Sequence, residues 1–240
     1  MAWFIQIQKS FTQTGIKSAT ELSVLIPFSS FYSFQLGTVQ SAQDIATGRM
    51  VAVKQVRRSY QEHKERILNE IFILRTSTHP NIVPYVRSFL YRDHVHIVTE
   101  FCDAGSLRGM VSLGLKEDMI IYIIYNVLQG LSYMHSLGRI HRDIKSSNIL
   151  VTTGGEIKIC KWFENWTKLI SKLGDMGLST DSKNTGMAGS KFWCAPEMIK
   201  KLKYDNKVDV WSLGALTYEV NSIYNPDSHL KLVGRKETAI

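Results

Sequence analysis

His141-Arg142-Asp143-Ile144-Lys145-Ser146-Ser147-Asn148 decides how this 240-residue chain folds and what chemistry it carries. The octet fits H-R-D-x-x-x-x-N at every fixed position. It places an acid, a base and an amide in one short loop. The Asp143 carboxylate can accept the proton of a hydroxyl. The Lys145 ammonium can neutralise charge on a migrating phosphoryl group, and the Asn148 carboxamide can hold a metal ion. A single eight-residue match can arise by chance, so the rest of the chain has to supply a nucleotide grip, a second metal ligand and a substrate platform.

Upstream of the octet the texture is that of strands. Residues 37–45 and 50–57 alternate and are separated by a turn at Ala46-Thr47-Gly48. In the second of them Val51, Val53 and Gln55 alternate with Ala52, Lys54 and Val56, which puts Lys54 on a face with two small apolar residues. Residues 60–76 carry Ile67, Leu68, Ile71 and Leu74 at helical spacing. Two more strands are predicted near 82–90 and 94–101, about Arg92-Asp93. Beyond Asp103-Ala104-Gly105-Ser106 the pattern turns helical, with a long helix over 117–136 ended by Gly138 as its C-cap. Short strands near 148–152 and 156–160 flank a Thr152-Thr153-Gly154-Gly155 turn, and residues 205–220 are helical again. Residues 1–30 show no sustained periodicity and no motif.

Composition narrows the function. The net charge is +8, but lysines and arginines are interleaved with acidic residues, and no zinc-finger, RNP or basic-helix pattern accompanies them. A basic surface with some affinity for anions is expected, and no nucleic-acid partner. Cys102, Cys160 and Cys194 are far apart and odd in number, which argues against a disulfide framework or a zinc site and for a reducing, cytoplasmic setting. The longest apolar run, around 119–125, is too short to span a bilayer and reads as a buried helix. The N-terminus lacks the charged region and cleavage site of a signal peptide.

Lys54 in Val51-Ala52-Val53-Lys54 and Glu70 on the following helix gain weight from the octet downstream. An ammonium that grips two phosphates must be held in place, and a carboxylate on a nearby helix does this. Taken alone, each is more commonly a solvated surface charge. Asp175-Met176-Gly177 follows the octet; an aspartate before a glycine suits Mg²⁺, although by itself it more commonly marks a turn. Ala195-Pro196-Glu197 and Asp209-Val210-Trp211-Ser212-Leu213-Gly214 complete the series.

Together these motifs resemble the eukaryotic protein kinase family, with the texture of its p21-activated-kinase-like, sterile-20-like serine/threonine branch. The resembling text also includes Gly37-Thr38-Val39-x-Ser41-Ala42-Gln43-Asp44, Asn69-Glu70-Ile71, His79-Pro80-Asn81-Ile82-Val83 and Met187-Ala188-Gly189-Ser190. It covers about 37–220. The resemblance implies an α+β, bilobal fold: a small strand-rich N-lobe with one helix over 31–102, and a helix-rich C-lobe over 103–220. Residues 1–30 would be an extension, 161–173 an insert and 221–240 a tail unlike the family. The cofactors implied are ATP and Mg²⁺. Gly37 would belong to the phosphate loop, and Lys54 would bind the phosphates, tied to Glu70. Glu100, Phe101 and Cys102 would meet the adenine edge with Thr99 behind them, and Val39, Ala52 and Leu150 would sandwich the ring. Asp143 would be the base, Asn148 and Asp175 the magnesium ligands. Lys145 with Ser190 implies the serine/threonine type, with a protein substrate. Arg142 implies control by an anionic activation segment, and Asp209 would hold the backbone of the 141–142 turn. An upstream kinase or a small GTPase would be the regulatory partner, although no GTPase-binding segment is visible.

Four departures from the pattern stand out. A G-x-G-x-x-G loop would need glycines at 32, 34 and 37, where the chain has Tyr32, Phe34 and Gly37. Residues 161–173 separate the last strand from Asp175 and carry Trp162, Phe163, Trp166, Leu169, Ile170 and Leu173 at helical spacing. They fit a partner or membrane helix, a surface excursion, or, ranked first, a segment wrongly kept in the coding sequence. The chain stops short of the family's last helices, so exposed apolar surface is expected and Glu197 loses its arginine partner. The activating phosphothreonine position is Gly186, with Thr185 one residue early. An inactive or truncated kinase-like binding module is therefore the alternative to an active kinase. A basic nucleic-acid or membrane-surface protein is a third reading, resting only on charge and on 161–173.

Overall fold

The structure, a computed structural model, describes residues 25–34, 37–57, 61–160 and 190–221. The 161–173 segment, Asp175 and Thr185 lie outside the described residues. The chain divides into two compact units, one ending at Asp103 and the other beginning at Ala104.

The first unit is an antiparallel sheet of β1 (Leu25–Phe34), β2 (Gly37–Asp44), β3 (Met50–Arg57), β4 (Tyr85–Tyr91) and β5 (His94–Glu100), with helix α1 (Gln61–Arg75). The strand order is β1-β2-β3-β5-β4. Residues opposed in an antiparallel ladder share a face. Val39 opposes Lys54, Lys54 opposes Ile97, and Ala52 opposes Thr99, so these five lie on one face. On that same face Val56, Val95 and Ile97 pack against Ile67, Ile71 and Leu74 of α1, spaced so that one helical stripe meets the sheet. The other face packs Ala42, Val51, Val53, Phe89 and Val98. Each buried Val, Ile, Leu or Phe side chain among them is worth about 1.5–3 kcal/mol.

The β2–β3 turn needs a left-handed residue, which Gly48 supplies at φ 68°. The Asp44 carbonyl accepts the Gly48 N–H at 2.7 Å, and its carboxylate accepts the Ala46 N–H at 3.1 Å. The Arg87 guanidinium reaches the same carboxylate from β4 at 2.8 Å. That bond holds Asp44 below the usual carboxylate range, outweighing the opposite effect of burial.

Sequence periodicity gave no sign of β1. The strand pairs with β2 along its length, but with register shifts between Pro27 and Ser29 and between Ser30 and Tyr32. Such bulges break the period of two that marks a strand, and Pro27 is tolerated because β1 is at the sheet edge. Tyr32 and Phe34, where glycines were looked for, are strand residues opposite Val39 and Gly37.

The second unit is built on two helices, α3 (Glu117–Ser136) and α5 (Lys207–Asn221). With them are the short helices α2 (Leu107–Val111) and α4 (Pro196–Ile199) and a small sheet in the order β6 (Gly105–Ser106), β7 (Ile149–Val151), β8 (Ile157–Ile159). Its core joins Ile123, Val127 and Leu131 of α3, Leu213, Leu216 and Val220 of α5, and Ile144, Ile149 and Ile159. Glu117 and Asp118 in the first turn of α3 suit its dipole. The helix ends in a Schellman motif: Gly138 at φ 68° donates to the His135 carbonyl and Arg139 to that of Met134. The run at 119–125 is not the buried helix expected of it. Ile123 is buried, but Ile121 is 62% and Tyr125 60% exposed, on the side of α3 away from the core. Val210 and Trp211 of α5 are also exposed. Among the described residues no helix is long and apolar enough to cross a membrane.

Candidate active site

In the first unit β3 presents Lys54 to the face covered by α1, and Glu70 sits one helical turn from Ile67 on the stripe that faces the sheet. The Lys54 ammonium donates to both Glu70 carboxylate oxygens, at 2.8 and 3.0 Å. The two side chains are only 3% and 6% exposed. A cation so placed is rigid and desolvated, which strengthens its attraction for an anion. Val39 and Ala52 are half-buried on the same face, and Thr99 is buried there. Glu100 ends β5 and Cys102 is buried just beyond it.

In the second unit the octet lies between α3 and β7 and is fixed at its start by Asp209. This carboxylate, at 0% exposure, accepts the N–H groups of His141 and Arg142 at 2.7 and 2.6 Å and a bond from the His135 ring at 2.8 Å. Burial alone would raise the Asp209 pKa. The His135 bond, the field of His141 and the two backbone donors outweigh it, so the group stays below its usual range. The brace has a visible purpose, since Arg142 is held at φ 71°, where a side chain costs about 1–3 kcal/mol. The Arg142 guanidinium is buried 5.6 Å from the centre of the Tyr204 ring, and burial lowers its pKa.

Asp143 follows that turn, half-buried, and both oxygens of its carboxylate are engaged. One oxygen accepts the Ser190 N–H at 3.0 Å and the Ser190 hydroxyl at 3.2 Å. The other accepts the Asn148 amide at 2.8 Å and lies 3.2 Å from the Lys145 ammonium. Lys145 also donates to the Ser190 hydroxyl at 2.8 Å, and Asn148 to the Asp143 carbonyl at 2.7 Å. The structure thus brings Asp143, Lys145, Asn148 and Ser190 together. With its NH₂ group committed to Asp143, Asn148 has a carbonyl oxygen that takes no hydrogen bond among the described residues, a donor that suits Mg²⁺. Leu150 is half-buried on β7.

Sequence reasoning missed a second set of contacts. Glu219 of α5 accepts the Ser146 N–H at 3.2 Å, the Ser146 hydroxyl, and the Trp193 indole N–H at 2.9 Å. The Ser212 hydroxyl donates to the Trp193 carbonyl at 2.7 Å. No local pattern announces these bonds, because their partners are up to 73 residues apart.

Comparison with known proteins places most of the chain in one family. The protein kinase domain family matches residues 35–232. The chain is 38% identical over 193 residues to Serine/threonine-protein kinase 1 of Arabidopsis thaliana, covering 77% of this chain and 21% of that protein. It is 38% identical over 200 residues to Serine/threonine-protein kinase PAK 1 of Mus musculus, covering 81% and 34%. Against Serine/threonine-protein kinase STE20 of Saccharomyces cerevisiae the figures are 36% over 185 residues, 77% and 19%. The chain spans about a fifth to a third of the length of these relatives.

Proposed function

The chain belongs to the protein kinase family, in its sterile-20-like serine/threonine branch, and on that premise we propose that it transfers the γ-phosphoryl group of Mg-ATP to serine or threonine hydroxyls of proteins. The observation that carries this is the Asp143 carboxylate held by Asn148, Lys145 and Ser190. The substrate hydroxyl oxygen forms a bond to the γ-phosphorus as the bond from that phosphorus to the bridging oxygen breaks. ADP leaves, and the hydroxyl proton passes to Asp143. Lys145 stabilises negative charge on the migrating group, and Lys54, fixed by Glu70, holds the remaining phosphates. Val39, Ala52 and Leu150 contact the adenine ring, and Thr99, Glu100 and Cys102 its edge. Asn148 and Asp175 would hold Mg²⁺, which when bound would neutralise phosphate charge. Gly37 belongs to the phosphate loop. An upstream kinase or a small GTPase is the proposed regulator. Cys102, Cys160 and Cys194, buried thiols outside any disulfide, support a cytoplasmic setting.

Purified chain with Mg-ATP and a basic protein acceptor is expected to transfer phosphate, and Asp143→Asn to lower the rate at least about 100-fold. ATP should raise the melting temperature of both forms. Stabilisation without transfer would replace this reading with that of an ATP-binding module. Transfer that survives Asp143→Asn would remove Asp143 from the role of base.

A further inference from the structure

We propose that Glu219 is a positioning residue, which sets the separation of Lys145 and Ser190 about Asp143. The proposal rests on the phosphoryl-transfer reading above for its catalytic consequence, though not for its structural one. Along α5, Asp209, Ser212 and Glu219 fall on one helical face. Each bonds a different part of the site. Asp209 holds the first two residues of the octet, Ser212 the carbonyl of Trp193, and Glu219 both Ser146 and the Trp193 indole.

Two segments meet at Asp143. The octet brings Lys145 and Asn148 to one carboxylate oxygen, and the segment beginning at Ser190 brings a hydroxyl and an N–H to the other. Ser146 is the immediate neighbour of Lys145 and is fully buried, and Trp193 is three residues beyond Ser190, its N–H bonded to the Ser190 carbonyl at 3.0 Å. A single carboxylate bonded to both Ser146 and Trp193 therefore ties the two segments together. Three donors converge on its two oxygens. Methionine in that place keeps the length of the side chain but has no carboxylate oxygen, so all three bonds are lost. Misplacement of about 1 Å at the end of such a chain of contacts costs on the order of 100-fold in rate.

The test is Glu219→Met, read in two ways. The first needs no activity: amide and indole hydrogen exchange by NMR without nucleotide. Exchange at the Ser146 N–H, the Trp193 indole N–H and, as the reporter of position, the Ser190 N–H should speed up about 10-fold or more. Trp193→Phe, which removes one donor and keeps a ring, should speed exchange at Ser190 and leave Ser146 protected. It also serves if Glu219→Met does not fold. The second is steady-state kinetics. The kcat of Glu219→Met should fall about 10-fold or more with KM for ATP within twofold, and Ser146→Ala should add little to that loss in the double variant. Unchanged exchange at Ser190, or faster exchange with an unchanged kcat, would overturn the proposal. If the wild-type chain transfers no phosphate, the phosphoryl-transfer reading fails, and exchange at Ser190 still decides whether Glu219 positions it.

Discussion

Lys54 and Asp209 are both charged and almost fully buried, and they are held by different means. Asp209 is surrounded by N–H donors, two of them from the backbone, so its charge is dispersed over a network. Lys54 has Glu70 within 3.0 Å on both oxygens. Removing one partner of a buried ion pair leaves the other charge desolvated, at a cost of about 3–5 kcal/mol. Urea denaturation of Glu70→Ala should show a loss of that size. The double variant Lys54→Met with Glu70→Leu should recover most of it, since an apolar pair of similar volume avoids the desolvation cost. An equally large loss in the double variant would mean that packing of α1, and not charge, is at stake. The pair was legible in the sequence only through the octet downstream, which gives meaning to a lysine on a strand and a glutamate on the next helix, 16 residues apart. Glu219 was not, because nothing near it in the chain distinguishes it from a solvated helix glutamate.

Elements with one side to the core and one side to solvent were readable to within a residue or two at most ends. β3 spans Met50–Arg57 as its alternation predicts, and α3 spans Glu117–Ser136 up to the glycine that stops it. β1 was lost because its bulges erase the alternation. The outer side of α3 was misjudged because Ile121, Tyr122 and Tyr125 are as apolar as the buried stripe, and only packing tells the two apart. The β4–β5 hairpin hides a different feature. His96 opposes Phe89, with rings stacked at 4.8 Å and 5° between planes, and it is buried. Burial pushes its pKa down to about 4, against an ordinary value of 6.5. The folded chain thus keeps His96 neutral where the unfolded chain takes up a proton. Stability is present above about pH 6.5, is lost as pH falls from there towards 4, and levels off below. Between pH 7 and pH 5 the loss from this group is about 2 kcal/mol. His96→Phe, which keeps the stack and cannot titrate, should flatten that part of the stability profile. An unaltered slope would place the pH dependence elsewhere.

For the whole molecule, legibility follows the range of the contacts. The first unit joins strands mostly to their sequence neighbours, so alternation and turns carried most of its topology. The second draws its site from segments far apart, and there only the motif residues could be named beforehand: the octet, Ser190 and Asp209. What holds them became visible only with α5 in place. The clamp of Asp209 on His141 spans 68 residues. At ordinary rates of synthesis that distance takes roughly 3–14 s to translate. Until α5 has left the ribosome, the octet is complete in sequence but lacks both of its α5 anchors, and the left-handed turn at Arg142 has nothing to offset its cost. Nascent chains stalled before residue 209 should be cut readily by trypsin after Arg142 and Lys145, whereas chains stalled well past Asn221 should resist. Equal resistance in the two would mean that the loop takes shape without the helix. If resistance appears only with the longer chain, the order of translation itself decides when the 141–148 loop takes its shape: not before α5 has been read.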